Sequence, residues 1–210
     1  MTLSVETALK TLPLVAILRG LTPEEAVDMG EALVAAGFTC LEVPLNSPRP
    51  LESIRLLRDA MDGRAVVGAG TVLTPQAAQD VAGAGGQLVI SPNADPRVIE
   101  RTKALGLFSM PGCFTPTEAF SALQAGADVL KLFPAELAGP GAVKAMKAVL
   151  PRSQPLYAVG GVEPANIDDW RKAGADGFGI GSALYKPGRT SDEVGAVARA
   201  FVTAWAGGGQ

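Results

Sequence analysis

Lys131 stands in the middle of Val129-Leu130-Lys131-Leu132-Phe133-Pro134, a run that is otherwise apolar on both alternating faces. Glu42 interrupts Cys40-Leu41-Glu42-Val43-Pro44 in the same way, and Arg19 closes Val15-Ala16-Ile17-Leu18. A lone ammonium or carboxylate is costly to remove from water, so a charge inside a buried strand marks a place where chemistry is expected. Desolvation lowers a lysine pKa and releases the neutral amine, a nucleophile that condenses with a ketone to form a Schiff base. A carboxylate beside it opposes that drop, so packing by Val129 and Phe133, helped by Arg19 if it is close, must outweigh Glu42. The plainer alternative is a buried Lys–Glu pair that only fixes register. The remaining lysines, Lys10, Lys103, Lys144, Lys147, Lys172 and Lys186, have polar neighbours and read as solvated.

Composition removes the competing chemistries. The chain has no histidine, which excludes a Ser-His-Asp triad, a Cys-His dyad and a His-ligated zinc. General acid–base work then falls to carboxylates, lysine, tyrosine or water. Two cysteines, Cys40 and Cys113, lie far apart in different apolar segments. They are expected to be buried thiols of a reduced, cytoplasmic protein, not a disulfide or a metal site. Eighteen Lys and Arg against 21 Asp and Glu give a net charge of −3, with no basic stripe to hold nucleic acid. Glu6 precedes the first lysine, so the cationic start of a secretory signal is missing. Long uncharged stretches such as Ala65–Gln79 are broken by Gly or Pro short of the ~20 residues a membrane span needs, so no membrane partner is expected.

The elements that position these groups follow a repeat. Apolar runs occur at Leu14–Gly20, Thr39–Leu45, Ala65–Val72, Gln87–Pro92, Leu107–Gly112, Asp128–Pro134, Pro155–Gly161 and Gly177–Leu184. They recur at roughly the 20- to 27-residue period of a βα unit. Thr22-Pro23-Glu24-Glu25 and Thr115-Pro116-Thr117-Glu118 place Thr at N-cap, Pro at N1 and Glu at N3; Thr74-Pro75-Gln76 repeats the opening, and Glu163-Pro164-Ala165-Asn166 is a weaker version. Gly37, Gly85, Gly106, Gly126 and Gly174 stand where helices should end. Runs apolar on both faces require a parallel sheet covered by helices. Eight such units predict a single (β/α)8 barrel domain over 1–210, with a short helix before the first strand and a frayed tail, Gly207-Gly208-Gly209-Gln210. A doubly wound open sheet is the competing fold, but its Gly-x-Gly-x-x-Gly fingerprint is missing after the first run. In a barrel, alternate strands share an interior layer, so Glu42 of the second run and Lys131 of the sixth could meet.

Gly160-Gly161 follows the seventh strand and Gly181-Ser182 the eighth, the two loops where this fold commonly holds a phosphate on backbone N–H groups. Gly68-Ala69-Gly70-Thr71 reads either as a tight turn or as a loop admitting a carboxylate near Thr71. Pro92, Phe133 and Val159 are expected to line the substrate pocket.

Together, Leu41-Glu42-Val43-Pro44-Leu45-Asn46-Ser47-Pro48, Gly68-Ala69-Gly70-Thr71-Val72-Leu73, Leu130-Lys131-Leu132-Phe133-Pro134-Ala135 and Ala158-Val159-Gly160-Gly161-Val162 resemble the 2-keto-3-deoxy-6-phosphogluconate / 2-keto-3-deoxy-6-phosphogalactonate aldolase family from about Leu14 to Tyr185. The resemblance implies a class I aldolase without metal or cofactor, acting on a phosphorylated keto-deoxy sugar acid, with Lys131 as Schiff-base residue and Glu42 as proton shuttle. It implies that Arg19 and Thr71 bind the carboxylate, that Gly160, Gly161, Gly181 and Ser182 bind the phosphate, and that the chain is a homotrimer. Gluconate-type members usually carry Pro-Thr-Gly-Gly where this chain has Ala158-Val159-Gly160-Gly161, which is similar to the galactonate branch. A Thr hydroxyl offered to one C4 epimer and missing for the other is a physical basis for that choice. The expected reaction is cleavage of the galactonate epimer to pyruvate and glyceraldehyde 3-phosphate. The alternatives are the same chemistry on the gluconate epimer, a phosphosugar isomerase or epimerase with Glu42 as base, and a silent phospholigand-binding module.

Overall fold

The computed structural model describes residues 3–207. Its parallel strands are β1 (Leu14–Ile17), β2 (Cys40–Pro44), β3 (Val66–Gly70), β4 (Leu88–Ile90), β5 (Phe108–Met110), β6 (Gly112–Cys113), β7 (Leu130–Leu132), β8 (Leu156–Val159) and β9 (Gly177–Ile180). They follow the spatial order β5-β4-β3-β2-β1-β9-β8-β7-β6. Because β5 and β6 are consecutive in the chain, the two ends of that order meet and the sheet forms a ring of eight staves, the expected barrel. The run expected at Leu107–Gly112 is therefore not one uninterrupted strand. Pro111 has no N–H for the ladder and splits it, while its carbonyl still accepts from Lys131 N at 3.0 Å.

The helices are α1 (Val5–Thr11), α2 (Pro23–Ala35), α3 (Pro50–Ala60), α4 (Pro75–Gly83), α5 (Pro96–Ala104), α6 (Pro116–Gln124), α7 (Ala135–Ala138), α8 (Pro140–Val149), α9 (Ile167–Lys172) and α10 (Ser191–Gly207). Thr22 and Thr115 cap α2 and α6 with Pro at N1, and Glu25 and Glu118 reach back to the cap N–H groups at 3.1 and 2.8 Å. Glu163-Pro164-Ala165-Asn166 departs from the expected start: it is a turn, closed by Glu163 N donating to Asn166 Oδ1, and α9 begins after it. The five expected helix-ending glycines all have φ between 72° and 105°, the region only glycine enters freely. Gly207 belongs to α10, so the frayed tail does not include it; Gly208, Gly209 and Gln210 lie outside the described residues.

Strands that read as apolar throughout serve two separate cores. Leu14, Ala16, Leu41, Val43, Leu130, Leu132, Leu156, Ala158 and Phe178 point outward and pack against the helices. Val15, Cys40, Val66, Leu88, Phe108, Val129 and Tyr157 alternate with them and fill the barrel interior, which Val5, Ala8 and Leu9 of α1 close from below. This alternation positions the site. Lys131 lies two residues after Val129 and Glu42 two after Cys40, so both charges face inward, directly above the apolar plug.

Candidate active site

One cavity of about 660 Å³ opens at the C-terminal ends of the strands. It is lined by all eleven residues that the sequence singles out: Arg19, Glu42, Thr71, Pro92, Lys131, Phe133, Val159, Gly160, Gly161, Gly181 and Ser182. A depression at the opposite end, lined by Leu9, Phe108, Tyr157 and others, is mainly apolar. Its carboxylates Asp128 and Asp176 are already paired with Lys103 and Lys147. The buried charged groups, Lys131 and Glu42, are at the end of the barrel where this fold places its chemistry.

Lys131 and Glu42 are 7% and 3% exposed. No direct ion pair joins them, since their charged atoms stay more than 4.0 Å apart. The register-fixing pair is therefore not what the strands build. Burial pulls the Lys131 amine down from 10.5 to about 8; the Glu42 carboxylate opposes that shift and the Arg19 charge adds to it. Burial likewise pushes Glu42 up to about 7, against the attraction of Lys131 and Arg19 and a backbone hydrogen bond at Gly70. Desolvation is the largest influence on both, which answers the question the sequence leaves open. The Lys131 Nζ lies 4.9 Å from the Phe133 ring centroid. Glu42 Oε2 is buried without a hydrogen-bond partner.

Gly70 makes room for this carboxylate, because a Cβ there would occupy the space of the Glu42 carboxyl group. The Gly68–Thr71 segment therefore serves Glu42 directly, a role that its spacing alone did not reveal. Thr71 follows with φ 56°, a left-handed conformation that is strained for a β-branched residue.

Arg19 requires a correction. It is not a buried strand charge but an exposed residue in the turn after β1, reaching the cavity mouth. At the far end, Gly160 and Gly161 follow β8 with φ 113° and 69°, and Glu136 of α7 packs where their Cβ atoms would be. The turn itself requires glycine at both positions. Gly181 starts a single helical turn in which its carbonyl accepts from Leu184 N and Tyr185 N at 2.9 and 3.0 Å. The first N–H groups of such a turn, those of Ser182 and Ala183, have no partner within it. Arg189 Nη1 donates to the Ala183 and Leu184 carbonyls at 2.8 Å each. Lys186 and Arg189 also line the cavity, although Lys186 reads in the sequence as a solvated lysine. Only the folding of the segment after β9 back over the mouth distinguishes it from the others.

Burial pushes both thiols up, Cys113 to about 12, so neither supplies a thiolate nucleophile at neutral pH. Among the described residues no three His, Cys, Asp or Glu side chains cluster into a metal-binding set. No described helix is long and apolar enough to cross a membrane.

A parallel barrel with an amine and a carboxylate buried together at its C-terminal mouth is the architecture of a barrel enzyme. The family model for KDPG and KHG aldolases matches residues 5–199, and the chain belongs to that family; it is an aldolase, a carbon–carbon lyase. It is 47% identical over 194 residues to the 2-dehydro-3-deoxy-6-phosphogalactonate aldolase of Escherichia coli (strain K12), covering 92% of this chain and 95% of that one. It is 48% identical over 182 residues to the probable 2-dehydro-3-deoxy-6-phosphogalactonate aldolase of Rhizobium meliloti (strain 1021), covering 87% and 86%. A solved structure described as native KDPGal superposes with a TM-score of 0.93 at 45% identity, covering 99% of this chain and 98% of that one.

Proposed function

We propose that this aldolase cleaves 2-dehydro-3-deoxy-6-phosphogalactonate to pyruvate and D-glyceraldehyde 3-phosphate through a Schiff base on Lys131. The observation that carries the reading is a desolvated amine and an unpartnered carboxylate oxygen in one cavity, between a cation at one end and the Gly160–Gly161 and Gly181–Ser182 turns at the other. The neutral Lys131 amine adds to the C2 ketone, and the carbinolamine hydroxyl takes a proton relayed from Glu42 through water and leaves as water to give an iminium. Glu42 then takes the proton of the C4 hydroxyl. As the C3–C4 bond breaks, its electron pair moves into the iminium to form an enamine and the aldehyde leaves. Glu42 returns the proton to C3, and water releases pyruvate and the amine. A carboxyl group held near neutrality by burial can act in both directions. Arg19 and Thr71 hold the carboxylate, the two turns hold the phosphate, and Pro92, Phe133 and Val159 line the path between.

The Val159 side chain supports the galactonate epimer, because it offers the C4 hydroxyl no hydrogen-bond partner. Buried free thiols support a reduced, cytoplasmic setting. Exposed Phe114, Phe120 and Leu137 supply apolar surface for a homotrimer. Borohydride reduction in the presence of pyruvate, followed by mass mapping, tests the assignment: an adduct on Lys131 is expected, and an unchanged protein mass refutes it. Cleavage rates on both C4 epimers test the substrate.

A further inference from the structure

Arg19 must be held in place to meet a carboxylate, yet it sits on an exposed turn, where a long side chain has many rotamers. Its Nη1 donates to Asn46 Oδ1 at 2.7 Å, and no Asp or Glu pairs with it among the described residues. The next residue reinforces the contact. Ser47 Oγ, 7% exposed, accepts from Gly20 N at 2.9 Å, so the turn after β1 is pinned to the turn after β2 at two successive positions. Asn46 follows the strand that carries Glu42, and it is not among the residues that line the cavity.

The chemistry of the anchor matters. An aspartate would hold the guanidinium as firmly but would cancel its charge, whereas an amide oxygen accepts one N–H and is neutral. We propose that Asn46 is a positioning residue, a neutral anchor that fixes Arg19 at the carboxylate end of the cavity and leaves its charge and its other N–H donors for the keto acid. This inference rests on the reading of Arg19 given above.

The test uses the full chain in the condensation direction, with pyruvate and D-glyceraldehyde 3-phosphate varied separately. Asn46→Ala is expected to raise the KM for pyruvate about tenfold, the factor that corresponds to 1.4 kcal/mol, and to leave the KM for the aldehyde phosphate within about twofold. Asn46→Asp, which restores an acceptor but neutralises Arg19, is expected not to recover the pyruvate KM. The pyruvate concentration that half-saturates borohydride trapping should rise in parallel in both variants, a readout independent of the aldehyde. An unchanged pyruvate KM in Asn46→Ala, equal rises for both substrates, or full rescue by Asn46→Asp overturns the proposal while the Lys131 assignment stands. Failure of the unmodified protein to trap pyruvate overturns that assignment, and this inference with it.

Discussion

Replacing Lys131 by Met should abolish turnover and at the same time make the protein more stable. The lowering of the Lys131 pKa from 10.5 to about 8 corresponds to about 3 kcal/mol by which burial penalises the ammonium. Methionine fills a similar volume without that penalty, but it forfeits the contact of the cation with the Phe133 ring, which is worth about 0.5–2 kcal/mol. The expected gain at pH 7 is about 1–3 kcal/mol, or roughly 2–12 °C in Tm for a chain of this size. Its sign with pH follows from linkage. Between about pH 8 and 10.5 the unfolded chain holds the Lys131 proton and the folded chain has released it, so the stability of the unmodified protein rises with pH through that window. The advantage of Lys131→Met is therefore complete below pH 8 and vanishes by about 10.5. Urea unfolding of both proteins across this range, followed by circular dichroism, measures the difference; repeating the comparison in a Glu42→Gln background removes the shared carboxyl whose titration Lys131 shifts. A Met variant no more stable at pH 7, or an advantage that does not shrink with pH, would refute the claim that desolvation dominates at Lys131.

Glu42→Gln should reduce turnover by about 10²- to 10⁴-fold while pyruvate remains trappable on Lys131. In the unmodified enzyme, activity should fall in two overlapping steps as pH drops, through about 8 as the Lys131 amine takes up its proton and through about 7 as the Glu42 carboxyl does; steady-state rates should show the lower step vanish in the Gln variant. Val159→Thr should shift the ratio of kcat/KM toward the gluconate epimer by about 10- to 100-fold, measured on the paired substrates. Gly160→Ala, at φ 113° with Glu136 in the way, should cost about 1–3 kcal/mol in unfolding experiments. It should also raise the KM for the aldehyde phosphate and leave pyruvate trapping unchanged.

Much of the architecture is legible without coordinates, because repeated helix caps and two-faced apolar runs leave a closed parallel sheet as the arrangement that buries both faces. The reactive pair is legible for a related reason: Lys131 and Glu42 are expensive where they stand, and cost is visible in composition. Arg19 shows the limit of that reasoning. Its neighbours make it look buried, but β1 ends at Ile17 and the turn carries it out to the cavity mouth. The break at Pro111 was written in the residue type, and only the strand order gives it meaning, since it falls where the ring closes.

What the amino-acid order determined by itself was which groups would be costly to bury and which periodicity would hide the rest; both are local properties of residue type and spacing. Tertiary structure decided what depends on distance through space. It set the separation that keeps Lys131 and Glu42 out of direct contact and the vacancy at Gly70 that admits the carboxylate. It also set the Asn46 hold on Arg19 and the return of the Lys186–Arg189 segment over the mouth. Desolvation and charge coupling depend on how many atoms surround a group on every side, and residues remote in the chain supply most of those atoms.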